Sequence, residues 1–330
     1  MDNIKEKKPN GFIRFLKSFL PWKGDPFKEV MRKIILMIAV AVLVFSLTVI
    51  GNKLWQGFVN SNLYDTLQEM VNDDDEWAKI KAEFPDVDFP EGMQLKYARL
   101  YALNQDLVGW LEIDNSDISL PVVQSSDNKF YLRRDFYKKD TRYGNPFLDF
   151  RNNVKELDFN TIVYGHNMQD KQIFGQLLNM YDNVDHYKEY PIIKFNTIYK
   201  DYDWKVVGAF YTNAKGAQDL NKYVFPFNYP DMGETSKEEF INQLQMRFLY
   251  NTGIDLNTDD KIITLSTCSE EFRDARLIII ARQLRDGEST KVDVSKAVTN
   301  ENPRFPQAWY SKYGKKNPYA EAEQWRPTMF

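Results

Sequence analysis

Residues 34–50, Ile-Ile-Leu-Met-Ile-Ala-Val-Ala-Val-Leu-Val-Phe-Ser-Leu-Thr-Val-Ile, run seventeen positions without a charge or a proline. That is the short end of the roughly 17–25 residues a helix needs to cross a bilayer. A helix apolar on every side has no face to turn to water, and Arg32 and Lys33 stand directly before it, so a spanning helix is favoured over a buried core helix. A cleaved signal peptide is the competing reading. It is weakened by a leader longer than a usual basic n-region and by the lack of an Ala-x-Ala site near Gly51. The run therefore predicts a single-pass type II protein of the cell membrane. Residues 1–33 stay in the cytoplasm, 34–50 span the membrane, and everything beyond lies outside.

Charge supports this division. Residues 1–33 carry nine Lys and Arg against four Asp and Glu, which leaves 34 basic against 43 acidic residues in the rest. A mildly acidic body argues against nucleic acid as a partner. Hydrophobic residues make up 43% of the chain and aromatics 15%, enough for a large core and too much for a disordered chain. Cys268 is the only cysteine, and His166 and His186 are the only histidines. No intramolecular disulfide and no Cys/His zinc site can form, and no metal or organic cofactor is called for. A lone cysteine in an exported domain is either a small buried hydrophobe or a reactive thiol.

The exported part begins with a polar, acid-rich stalk over 51–91, in which Asn72-Asp73-Asp74-Asp75 could cap a helix starting near Glu76. Leu95, Ala98, Leu100, Leu103 and Leu107 follow at roughly helical spacing and suggest an amphipathic lid. From Gly109 the pattern becomes strand-like. Short β-rich runs are expected at 110–113, 118–123, 146–150, 160–164, 191–196, 204–211, 262–267 and 277–283. Short strands in that number, with few long helices between them, suggest a mainly β domain, closed or nearly closed into a barrel. One insertion, 213–260, breaks the rhythm. Its Ser236-Lys237-Glu238-Glu239 reads as a capping box opening an apolar stripe at Phe240, Leu244 and Phe248. Beyond 285 comes a polar, aromatic-rich extension, 286–330, read as a wrap over the barrel surface in preference to a binding segment.

Three residues that can carry chemistry fall at strand ends. Cys268 closes Ile262–Thr267, Arg276 opens Leu277–Ile280, and His166 follows Val163-Tyr164-Gly165. A thiolate is a nucleophile, a histidine can protonate a leaving amine, and a guanidinium can stabilise an oxyanion. Arg273 competes with Arg276 but falls in the loop between the strands, and His186 sits among polar residues as a surface side chain would.

Thr264-Leu265-Ser266-Thr267-Cys268, Arg276 at the head of an apolar strand, and Tyr164-Gly165-His166-Asn167 together resemble the active site of sortases, the cysteine transpeptidases of Gram-positive cell surfaces. Further features resemble class B sortases: Gly109-Trp110, then Pro121-Val122-Val123-Gln124 with Asp127-Asn128 and Tyr131-Leu132, then Gly144-x-x-Phe147-Leu148-Asp149-x-Arg151-Asn152, and the helix-bearing insertion. The resemblance covers about 92–285 and implies a sortase-type closed β-barrel of about eight strands with peripheral helices as the catalytic domain. It also implies a reaction. Cys268 attacks the Thr–Gly bond of a C-terminal sorting signal of a surface protein, typically Asn-Pro-x-Thr in class B, and forms a thioester. His166 protonates the leaving amine, Arg276 holds the oxyanion or the substrate backbone, and a peptidoglycan-precursor or pilin amine takes the acyl group. Asn128, Leu132, Tyr164 and Ser266 would line the substrate groove. Two alternatives stand beside transpeptidation: a membrane-tethered cysteine protease that uses water, and a non-catalytic surface binding module, which has no need of Cys, His and Arg at three strand ends.

Overall fold

The computed structural model describes residues 11–72 and 76–328, which fall into two units, Met1–Asn62 and Leu63–Phe330. The first holds α1 (Gly11–Phe19) and the start of α2 (Phe27–Val71). Helix α2 is long and apolar enough to cross a membrane, and none of its most apolar stretch is buried. It extends well past 34–50 in both directions, because no proline interrupts it after Pro26. Much of the expected stalk is therefore helical. Leu63, Tyr64, Leu67, Met70 and Val71 repeat at three- and four-residue spacing and pack into the core of the second unit. Residues 73–75 of the expected cap lie outside the described residues. Helix α3 (Trp77–Glu83) starts after Glu76, whose side chain makes no capping bond.

The eight expected strands all form: β1 (Leu107–Glu112), β2 (Ser119–Val123), β3 (Phe147–Leu148), β4 (Asn160–Tyr164), β5 (Ile192–Thr197), β6 (Asp203–Asn213), β8 (Ile262–Ser269) and β9 (Ala275–Gln283). They close into a barrel in the order β1-β2-β3-β4-β8-β9-β6-β5, with β5 pairing back to β1. A small separate sheet pairs β7 (Tyr250–Asn251) with β10 (Val298–Thr299). Short helices fill the connections: α4 (Ala98–Leu103) on the lid segment, then α5 (Leu177–Tyr181) and α6 (Val184–Tyr187) between β4 and β5. Leu103 points away from the core and is exposed.

Side-chain alternation along the strands sorts two cores. Ile263 and Leu265 of β8, with Leu277, Ile279 and Ala281 of β9, belong to the main core with Trp110 and Leu111. Their neighbours Ile262, Ile278 and Ile280 face the other way, into a second core under the insertion. Helix α7 (Glu234–Gln245) supplies Phe240 and Leu244 to that core, with Phe248 just beyond its end. The capping box does not form. The helix starts two residues before Ser236, with Gly233 at its cap, and the Ser236 hydroxyl instead meets the Thr328 hydroxyl at 2.7 Å. The extension carries α8 (Gln307–Lys312), and its Trp325 packs on Phe225 and Phe240 of the second core.

Candidate active site

The outer face of β8 and β9 is covered by the insertion only over part of its length. Ser266 and Cys268 share the outward phase of Ile262, and Arg276 that of Ile278 and Ile280. Beyond the part it covers, a cavity of about 500 Å³ opens, walled on one side by insertion residues Val224, Phe227 and Asn228 and lined by all seven residues singled out in the sequence: Asn128, Leu132, Tyr164, His166, Ser266, Cys268 and Arg276.

Two pairings set the geometry. In the antiparallel β8–β9 ladder Cys268 is directly opposite Arg276, so their side chains leave the same face as cross-strand neighbours about 4.5–5.5 Å apart at Cβ. In the parallel β4–β8 ladder Tyr164 is opposite Ser266, and Gly165 N donates to Ser266 O at 3.2 Å. His166 and Cys268 each follow that pair by two residues, and both line the cavity. Cys268 is a free, exposed thiol. Among the described residues Arg276 makes no ion pair. Arg273, the rival, points into solvent with its side chain 93% exposed. His186 lies elsewhere, with Nδ1 2.6 Å from Asp182 Oδ1.

The histidine is held from behind. Its Nε2 lies 2.8 Å from the Leu132 carbonyl oxygen. A carbonyl only accepts, so Nε2 carries the proton in that contact and Nδ1 is the nitrogen left for proton exchange. Two glycines make room for this. The Phe174 ring packs so closely on Gly165 that a Cβ there would sit 2.5 Å from it. Gly144 has φ +63°, and a Cβ on it would lie 2.6 Å from Tyr131 O and 3.1 Å from His166 Cδ2.

One wall of the groove is fastened to a buried carboxylate that had no role assigned from sequence, although Asp149 and Arg151 lie in the quoted motif. Asp149 is fully buried. It accepts from Arg151 Nε at 2.8 Å and Nη2 at 2.9 Å, Asn128 Nδ2 at 2.9 Å and Tyr164 OH at 2.9 Å. Burial alone would raise its pKa, but the Arg151 side chain, the Arg151 amide and Asn128 outweigh burial and hold the carboxyl below the usual carboxylate range. Burial and then the facing carboxylate push the Tyr164 phenol up. Asn128 Oδ1 accepts from Phe150 N at 3.0 Å, so Asn128 is fixed at both ends of its amide. The Ser266 hydroxyl, by contrast, is buried in the groove wall with no partner among the described residues.

An exposed thiol beside an uncommitted guanidinium, with an imidazole at the next strand end, is equipped to attack a carbonyl and hold the resulting oxyanion. A sortase domain model matches residues 111–284. The chain belongs to the sortase family. Sortase B of Listeria monocytogenes is 28% identical over 254 residues, 76% of this chain and 96% of that protein. Sortase B of Staphylococcus aureus is 27% identical, over 76% of this chain and 97% of that protein. A crystal structure of sortase B from Bacillus anthracis superposes with a TM-score of 0.55 at 26% identity, over 70% of this chain and 99% of the other. Within the family the chain is of class B, and it shares the cysteine transpeptidase chemistry of sortases.

Proposed function

We propose that this chain is a membrane-anchored transpeptidase that cuts a C-terminal sorting signal of the Asn-Pro-x-Thr type and passes the acyl product to a cell-wall or pilin amine. The observation that carries the reading is Cys268, exposed and directly opposite Arg276, which makes no ion pair among the described residues, in one cavity with His166. The Cys268 thiolate attacks the threonine carbonyl carbon, and the oxyanion forms beside the Arg276 guanidinium. The C–N bond then breaks as His166 gives a proton to the leaving amine, and a thioester remains. An incoming amine attacks that thioester, loses its proton to His166, and releases the thiolate. Asn128, Leu132, Tyr164 and Ser266 hold the signal, with the free Ser266 hydroxyl turned to its backbone. Residues 34–50 anchor the enzyme, 1–33 lie in the cytoplasm, and the 51–91 connection carries catalytic domain 92–285, capped by 286–330, outside the cell.

The test uses the full chain in detergent micelles with Asn-Pro-x-Thr and Leu-Pro-x-Thr-Gly peptides, read by intact-protein mass spectrometry. Wild type should gain the mass of the peptide's N-terminal fragment, and Cys268→Ala should gain none. His166→Ala and Arg276→Ala should lose acylation by about 10²–10⁴-fold. Added amines that discharge the adduct faster than water identify transfer, whereas discharge indifferent to amines favours the protease alternative. A thiol that alkylates in none of these proteins sinks the nucleophile assignment.

A further inference from the structure

Residues 270–274 form the short connection between β8, which ends at Ser269 one residue after Cys268, and β9, which begins at Ala275 one residue before Arg276. It is not left to itself. Phe272 is buried, Glu271 N donates to Ser269 Oγ at 3.0 Å, and Asp274 takes a positive φ of 55°. From the insertion, Gln218 Nε2 donates to the Arg273 carbonyl and to Asp274 Oδ2 at 3.0 Å, and Lys215 Nζ reaches Asp274 Oδ2 at 3.1 Å. From the C-terminal extension, Trp309 Nε1 and Tyr313 OH both donate to Glu271 Oε1 at 2.9 Å, while Lys312 Nζ donates to the Glu271 carbonyl at 2.5 Å.

The donors are themselves fixed. Trp309 stacks on Phe305 with ring centroids 3.9 Å apart, and Tyr313 packs against Trp309 at 4.9 Å. The start of α8 is tied to the insertion, where Asp219 Oδ1 accepts from Gln307 N at 2.9 Å. Farther along, Gln324 Nε2 donates to Leu220 O at 2.8 Å and Tyr223 OH to Trp325 O at 2.8 Å. Insertion and extension thus form one frame that grips the loop at Glu271 on one side and at Arg273–Asp274 on the other. A loop-tip carboxylate three residues after a nucleophile ordinarily faces water. Here two aromatic donors converge on a single one of its oxygens, and these charge-assisted bonds restrict the loop backbone.

We infer that the 305–313 stretch of the extension is a positioning element of the active site: by holding Glu271, Trp309 and Tyr313 fix the loop between the two strands and so set where Cys268 stands relative to Arg276. The inference rests on the roles proposed above for Cys268 and Arg276. Neither Trp309 nor Tyr313 lines the groove, so the effect falls on the step at the nucleophile rather than on signal binding. Small errors in placing a nucleophile cost rate steeply.

The variants are Trp309→Phe, which keeps a ring to stack on Phe305 and loses the N–H, and Tyr313→Phe, which loses only the hydroxyl. In the full chain in micelles, the double variant should lower kcat for peptide acylation by about tenfold with KM within about twofold of wild type and an unchanged melting temperature. It should also shift the rate at which iodoacetamide alkylates Cys268. A double variant whose kcat and alkylation rate match wild type overturns the inference. So does a loss confined to KM. If the double variant melts early, the single variants decide by the same two readouts. If wild type acylates no peptide, the proposed reaction fails on its own, and the alkylation rate alone decides the strap: a shift supports it and no shift refutes it.

Discussion

Replacing Asp149 by Asn separates the groove's support from its chemistry. The substitution keeps the size of the side chain but removes the charge from a fully buried site and puts an NH2 among donors. One amide oxygen can still serve Arg151 or Tyr164, but not the two Arg151 contacts, Asn128 and Tyr164 together. Removing one partner of a buried pair costs about 3–5 kcal/mol. The Arg151 side chain is 37% exposed and also bonds the Asn228 carbonyl, so it regains hydration and the figure falls to about 2–3 kcal/mol. The pH dependence has a definite sign. The folded carboxyl is held below its unfolded pKa of about 3.9, so the stabilisation is complete above that value and is lost as pH falls toward the folded pKa. Chemical denaturation of both proteins in micelles, followed by tryptophan fluorescence from pH 7 to pH 3, should show the gap at pH 7 narrowing below about pH 4. Peptide KM should rise as Asn128 and Tyr164 lose their anchor, while alkylation of Cys268 stays at the wild-type rate. A gap below about 0.5 kcal/mol at pH 7, or one that does not change with pH, refutes the assignment of Asp149 as the charged keystone of that wall.

Two further substitutions follow from the same geometry. Gly144→Ala forces a Cβ into positive φ and against Tyr131 O; it should cost about 2–4 kcal/mol and slow acylation by displacing His166, measurable by denaturation and by adduct formation. Glu288→Gln removes the carboxylate that receives both Arg282 Nη1 and Nη2 at 2.8 Å and Lys205 Nζ at 2.7 Å, with Arg282 only 1% exposed. A loss of about 2–3 kcal/mol is expected at pH 7. Arg282 and then Lys205 hold Glu288 well below the usual range, so this difference too should fade as pH drops below the unfolded value of about 4.3.

The barrel was legible because its strands carry local signals: β-branched runs, alternation and turn residues at each end. The groove was legible because Cys268, His166 and Arg276 fall at ends of such runs, where a rigid backbone delivers a side chain to the surface. What stayed hidden has long-range causes. The stripe Leu63, Tyr64, Leu67, Met70 and Val71 was present in the sequence, but the acidic residues around it made the segment read as solvated stalk. Ser236 looked like a cap because its partner, Thr328, is 92 residues away. Asp149 was visible in a motif, yet its role depends on Asn128 and Tyr164 arriving from two other segments. The hold on Glu271 depends on residues 38 to 42 positions downstream, and an aromatic-rich tail gives no sign of which carboxylate it will find.

The ring of strands is not equally strong all the way round. β6 and β9 pair over nine registered positions, whereas β3 is two residues long and touches β2 at one, Val123 opposite Phe147. This short stave stands between β2 and the strand bearing Tyr164, on the wall of the groove that Asn128 and Tyr164 share. Its ladder to β2 has fewer registered positions than any other joint of the cylinder, and side-chain bonds from Asn145 to Pro121 O and from Asn128 and Tyr164 to Asp149 make up for the missing backbone pairs. The opposite bank, Cys268 and Arg276, rides on the longest ladders in the molecule. The barrel is thus held by long backbone ladders on the side of Cys268 and Arg276 and by side-chain hydrogen bonds around Asp149 on the other.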